Sequence, residues 1–334
     1  MEIKELDRQI ATNSIAPLYF FYGAEQFLLE NKLASIKKKI VEADFEEFNY
    51  IKIDSKKITA DEIITALQSV PVMSERKMIV IKNAGVFENS RSKDFQKIQE
   101  ELIALPDYFC VIFVENDFNK KKEKNLDVFK GKVVKFDFLP PNQFELWLEK
   151  MFEAQGKSIL MRDLKVLAER CTYSMANAYN EYNKLLAFVG ERTQITAEDV
   201  ERVVSKSVDA RIFDIIDNIA SGKTSRTFVE IRALEAYGEN ASMVMTLISA
   251  RISELLMVKH LVADRVSAKD IAEYFEPKRP PFVVNKLIEQ SRRFDEKYLN
   301  KMALKGLEYT AEVRSGRLDK WVAVEMYVSE LINR

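Results

Sequence analysis

Three short stretches carry residue types that could act on a phosphate. Ser221-Gly-Lys-Thr224 ends like a phosphate-binding loop, in which a glycine-rich turn cradles phosphates, a Lys reaches the β/γ-phosphates and a Ser/Thr holds Mg²⁺. The full motif needs a Gly five residues before its second Gly, and Asp217 occupies that position. It also needs a preceding strand. Ile212–Ala220 instead has the periodicity of an amphipathic helix, so Gly222 reads as a left-handed helix cap. Glu115-Asn116-Asp117 follows the apolar run Phe109–Val114, where an acidic pair for Mg²⁺ would stand. Such carboxylates hold the metal only in concert with a phosphate loop, so Glu115 and Asp117 read as solvated turn residues. The third stretch is Leu18-Tyr-Phe-Phe-Tyr-Gly-Ala-Glu-Gln-Phe-Leu-Leu-Glu30: a buried strand, a glycine turn and a helix. This is the junction where nucleotide-binding α/β proteins place their loop, and only Gly23 of it remains. Glu25 and Glu30 stand where a phosphate would want positive charge. Free N–H groups at a helix N-terminus attract anions, but acidic side chains there already use that field and repel phosphate. The expectation is a chain without catalytic residues, bound cofactor or metal, working by contact with other proteins.

Composition points the same way. Across 334 residues, Lys+Arg 51 against Asp+Glu 52 leaves a formal charge of −1, which does not advertise bulk nucleic-acid binding and leaves room for local basic patches. Hydrophobic residues at 47% and charged residues at 31% describe a globular protein of two or three domains. Cys110 and Cys171 lie too far apart to suggest a disulfide framework or a zinc cluster, and the single His260 argues against a Ser-His-Asp triad. Met1-Glu-Ile-Lys-Glu-Leu-Asp7 lacks an apolar signal core. No unbroken run approaches the ~18–20 apolar residues of a membrane span, so a cytoplasmic location is expected.

The elements that must position these stretches alternate over the first ~140 residues. Strands are expected at Leu18–Tyr22, Phe48–Ile53, Met78–Ile81, Phe109–Val114 and Lys132–Phe136. Between them lie helices: one places Leu29, Leu33, Ile36 and Ile40 on one face, and others cover Asp61–Ser69 and Ser92–Ala104. Strand-helix alternation implies right-handed βαβ units and a five-stranded parallel sheet. Leu139-Pro140-Pro141-Asn142 breaks the pattern, with Asn142 placed to cap the next helix. Helical periodicity then runs to the C-terminus in two groups. The first holds Phe144–Glu153, Met161–Cys171, Ser174–Val189 and Thr196–Ser205, with Thr196-Ala-Glu-Asp199 as a helix-start signal. The second begins near Ala210 and includes a long helix around Ala241–Ala263.

Two non-catalytic features suggest partners. From Pro277 to Lys305, Lys278, Arg279, Lys286, Arg292, Arg293, Lys297, Lys301 and Lys305 face only Glu289, Asp295 and Glu296. Such an excess suits DNA phosphates or an acidic partner, although charged helical faces are routine. Tyr274 and Phe275 beside it read as core. Val70-Pro71-Val72-Met73 falls between a helix and a strand, where polar turn residues are the rule. Four apolar residues there either fold back onto the core, the commoner outcome, or project as a binding plug.

Taken in order, the segments Leu18–Glu30, Ser69-Val-Pro-Val-Met-Ser-Glu-Arg-Lys-Met-Ile-Val80, Phe213-Asp-Ile-Ile-Asp-Asn-Ile-Ala-Ser-Gly-Lys223 and Arg314-Ser-Gly-Arg-Leu-Asp319 resemble the delta-subunit family of the bacterial DNA polymerase III clamp loader. The likeness covers nearly the whole chain and rests on order and spacing, not on a catalytic motif. It implies a RecA-like AAA+ domain without a working phosphate loop over residues 1–139, a helical lid-like domain over 140–207 and a helical collar over 208–334. It also implies a subunit that has no catalytic activity of its own and serves a DNA-directed DNA polymerase in DNA replication. Its implied partners are the beta sliding clamp, the loader's ATPase subunits, delta-prime and, through the complex, primer-template DNA. Val70, Pro71, Val72 and Met73 map onto the plug that opens the clamp, with Val72 and Met73 inserting. Met73 stands where the family commonly has Phe, and a flexible Met suits irregular apolar grooves. Thr310 replaces an expected acidic residue. Two alternatives compete. A divergent AAA-type ATPase would need a Lys that the residues between Gly23 and Lys32 do not supply. A helical nucleic-acid-binding protein would use the basic residues between 277 and 305, among them Lys278, Arg279, Lys286, Arg292 and Arg293.

Overall fold

In the computed structural model, which describes residues 1–54, 58–275 and 278–333, the chain separates into two units, Met1–Phe138 and Leu139–Arg334. The first is built on strands β1 (Leu18–Tyr22), β2 (Tyr50–Asp54), β3 (Lys77–Lys82), β4 (Phe109–Glu115) and β5 (Val133–Lys135). They form one parallel sheet in the order β2-β3-β4-β1-β5. Both faces are covered, which is why β1 and β3 are buried along their whole length and read as continuous apolar runs. Side chains alternate between the two layers. Tyr19, Phe21, Val80 and Ile112 meet helix α1 (Ile3–Ala11) through Leu6, and α2 (Gln26–Ile40) through Leu29, Leu33, Ile36 and Ile40. Phe20, Ile81, Val111 and Phe113 face the other way, onto Phe87, Phe95, Ile98 and Phe129. There Phe87 stacks edge-on against Phe113 and Phe129, with ring centroids 5.0 Å apart in each pair.

The five-stranded parallel sheet is the one the alternation predicts, with one shift. Phe48 and Asn49 belong to a single helical turn, α3 (Glu46–Asn49), and β2 starts at Tyr50. Helices α4 (Ala60–Leu67) and α5 (Lys93–Ile103) follow the expected positions, each with a side-chain N-cap, from Thr59 and Ser92 respectively. Between β4 and β5, Lys120–Phe129 forms a 3₁₀ helix.

The second unit is helical apart from two paired two-residue strands that the periodicity does not reveal. It comprises α6 (Pro141–Glu153), β6 (Ser158–Ile159), α7 (Met161–Arg170), α8 (Met175–Val189), β7 (Gln194–Ile195) and α9 (Ala197–Val203). It continues with α10 (Val208–Ala220), α11 (Thr224–Ala236), α12 (Ala241–Ala263), α13 (Ala268–Ala272), α14 (Pro281–Arg292), α15 (Glu296–Arg314) and α16 (Lys320–Ile332). Pro141 opens α6 after Pro140, so Asn142 lies inside that helix and does not cap it. Thr196 caps α9 in a capping box with Asp199.

Helix α12 is the core of the last helical group: Val244, Met245, Ile248, Ile252, Leu255 and Val258 are all buried among α10, α14, α15 and α16. By length and composition it could cross a membrane, a property that a scan for unbroken apolar runs overlooks because Arg251 and Glu254 interrupt it. Gly306 of α15 lets α12 approach, since a Cβ there would lie 2.3 Å from the Ser249 hydroxyl. Thr310 donates to the Gly306 carbonyl at 2.7 Å, staying within its own helix.

Candidate functional site

The crevice at the C-terminal ends of β1 and β4 is where an open α/β sheet binds its ligand. The turn that follows β1 is held from the β5 side by the chain's own backbone. Phe136, just past β5, accepts the Glu25 N–H at 3.0 Å and donates to the Tyr22 carbonyl at 2.7 Å. Gly23 sits at φ 137°, and a Cβ on it would lie 2.2 Å from the Phe136 oxygen. The one glycine surviving from a phosphate loop is thus required by backbone packing. Glu25 is buried at the start of α2. Burial pushes its carboxyl up to about 7, while the N–H groups of Phe27 and Leu28 pull the other way. Glu30 is ion-paired with Lys82 at the end of β3.

Glu115 departs from expectation. It is half-buried rather than a solvated turn residue, and it accepts the Gly85 N–H at 2.8 Å. Its carboxyl is also raised to about 7, mainly by burial. Asp117, in contrast, is exposed and bonds the Phe118 N–H. The fragment Ser221–Thr224 follows α10, and Gly222 has φ 68°, as a left-handed helix cap requires.

The segment between α4 and β3 places its apolar residues outward. Val70 is 62% exposed, Val72 39% and Met73 78%, with Pro71 half-buried. Residue type favours the core here, but the connection's backbone is tethered with these side chains outward. Arg76 donates to the carbonyls of Ile15 and Phe109, both at 3.1 Å, and Lys77 donates to the Val70 carbonyl at 3.4 Å. The fully buried Asn49 grips Val72 twice. Its Nδ2 donates to the Val72 carbonyl and its Oδ1 accepts the Val72 N–H, both at 2.8 Å. Met73 has φ 52°, a left-handed conformation uncommon for a residue with a long side chain. Residue type and spacing do not single out Asn49. A lone amide between Phe48 and Tyr50, in a stretch read as an alternating strand, was its only signal.

The basic stretch is more neutral in space than in sequence. Its first residue, Pro277, lies outside the described residues. Lys278 pairs with Glu273 at 2.7 Å, Arg279 with Glu254 at 2.5 Å and Arg293 with Asp217 at 3.4 Å. Lys286 and Arg292 are exposed. Lys286 and Arg293 border a cavity of about 470 Å³ whose wall includes Tyr173, Phe213 and Phe282. Phe275 is buried, as expected, but Tyr274 is 59% exposed and does not belong to the core.

Comparison with known proteins adds the family. Residues 19–138 match the family described as DNA polymerase III, delta subunit, and residues 209–331 match the DNA polymerase III delta subunit, C-terminal domain. Together the two matches span most of the chain. The chain belongs to the DNA polymerase III delta-subunit family. Among its relatives, DNA polymerase III subunit delta of Bacillus subtilis (strain 168) is 25% identical over 98% of this chain and 96% of its own length. A probable DNA polymerase III subunit delta of Aquifex aeolicus (strain VF5) is 23% identical over 73% of this chain and 71% of its own. The solved Bacillus subtilis DNA clamp loader delta protein superimposes with a TM-score of 0.83 at 21% identity, covering 99% of this chain and 100% of that one. Delta-subunit membership accords with the five-stranded parallel sheet of the first unit.

Proposed function

We propose that this delta-family chain is a component of the DNA polymerase III clamp loader that binds the beta sliding clamp and opens it for loading onto primed DNA. Residues 1–139 would act as the clamp-binding AAA+-like domain, 140–207 as a lid-like domain and 208–334 as the collar that meets the loader's ATPase subunits and delta-prime. The chain would contribute no catalysis itself and would work in the cytoplasm, meeting primer-template DNA through the complex. The observation that carries this reading is the outward display of Val70, Val72 and Met73 on a tethered loop. Direct DNA contact through Lys278, Arg279, Lys286, Arg292 and Arg293 has less support, because three of the five are engaged in ion pairs.

Burying one apolar side chain fully is worth about 1.5–3 kcal/mol. Val72→Ser/Met73→Ser should therefore weaken clamp binding by roughly 100- to 10,000-fold, at about 1.4 kcal/mol per factor of ten. Calorimetric titration of the full chain with the clamp reads the affinity, and a thermal melt reads stability, which should stay the same. A destabilised variant, or one that binds as tightly as the parent, would show that these residues are packing and not a plug.

A further inference from the structure

Asn49 lies on α3, remote in sequence from the 70–73 cluster, yet its side chain is committed to that loop. It is fully buried, and both ends of its amide bond the backbone of Val72 at 2.8 Å. The pairing is reciprocal and mimics a β-ladder contact. An amide side chain can satisfy one N–H and one C=O at once, whereas a carboxylate or a hydroxyl cannot match both in this geometry. The loop needs such a constraint. It contains no secondary structure between Leu67 and Lys77, it projects three apolar side chains into solvent, and it holds Met73 at a positive φ. Without a clamp on the backbone, those side chains would sample many orientations and would have to be ordered at the moment of binding.

We infer that Asn49 is a positioning residue that pre-organises the apolar loop for its protein partner, presenting Val72 and Met73 already in their binding orientation. The inference rests on the clamp-binding reading of Val70–Met73. Asn49 itself touches no partner; it acts through the Val72 peptide, and β2, which begins at the next residue and pairs Tyr50 with Met78, fixes it to the sheet.

The test uses the full chain and the beta sliding clamp, with Asn49→Ala, Asn49→Asp and Met73→Ser alone and combined. Asn49→Ala should weaken clamp affinity about 10-fold, and Asn49→Asp, which keeps the acceptor for the Val72 N–H, should fall between it and the parent. Hydrogen exchange at the Val72 amide should accelerate in Asn49→Ala and change less in Asn49→Asp. In the Met73→Ser background the Asn49→Ala penalty should shrink, because the two act on one surface and are not additive. Should Asn49→Ala fail to fold, the Asn49→Asp comparison still reads the bond to the Val72 carbonyl. Unchanged affinity in both Asn49 variants, or unchanged Val72 exchange in a folded Asn49→Ala, overturns the inference. A parent chain that does not bind the clamp overturns the proposed function instead.

Discussion

Glu25 and Glu115 are acids held where charge is disfavoured, and the pH dependence of stability should show it. A carboxyl raised from the ordinary range to about 7 in the folded chain is protonated in both folded and unfolded states below pH ~4.5. Its burden appears as pH rises between those values, because the unfolded state then ionises while the folded state resists. Glu25→Gln, which mimics the protonated form, should match the parent's melting temperature at pH 4 and exceed it at pH 8. Melting curves across that range check it, and a gap that is constant with pH would contradict the assigned burial. Gly23→Ala should be strongly destabilising, because φ 137° is already strained for a side chain and the added Cβ meets the Phe136 carbonyl at 2.2 Å. At this scale the sequence showed that the phosphate machinery was missing. It could not show what replaced it, because the Phe136 backbone reaches Gly23 through folding over more than a hundred residues.

Elements were the most legible level. Long runs with clear periodicity, such as β1, β4, α8 and α12, fall within a few residues of their expected ends. The misses have physical causes. Residues 46–49 form only one helical turn, too short to set a period. The Val70–Met73 connection is apolar yet exposed, and composition alone favours the opposite outcome. The capping box of α9 shows how local chemistry fixes a boundary. Asp199 accepts the Thr196 N–H at 2.9 Å and is forked by Arg192 at 2.8 and 3.0 Å. The Arg192 bond is the main reason its carboxyl lies at about 2. Thr196→Ala should cost about 1 kcal/mol, as N-cap removal does, read from urea denaturation. The Asp199 contribution should be complete above pH ~4 and lost as pH falls toward 2.

For the whole molecule, the family covers both an α/β unit built on a parallel sheet and a helical unit with an extensive core. If the division of labour is as proposed, a fragment starting near Asp209 should co-purify with the loader ATPase subunits without help from Met1–Phe138. Failure of the folded fragment, together with success of the first unit alone, would reverse the assignment. The intact chain should show no saturable binding of a fluorescent ATP analogue in Mg²⁺, since Glu25 and the Phe136 carbonyl already take up the start of α2. Micromolar affinity abolished by a Gly23 substitution would contradict this.

Helix α12 also bears on how the chain is made. Its apolar residues are buried mainly by α14, α15 and α16, all of which leave the ribosome after it. During synthesis, a helix apolar enough to pass for a membrane span therefore waits for the seventy or so residues that follow it before it is covered. Such exposed intermediates aggregate or recruit chaperones. A chain that stops short of α16 should accordingly be insoluble, not merely inactive, and the synthesis of α16 sets the moment at which α12 becomes safe from misassociation.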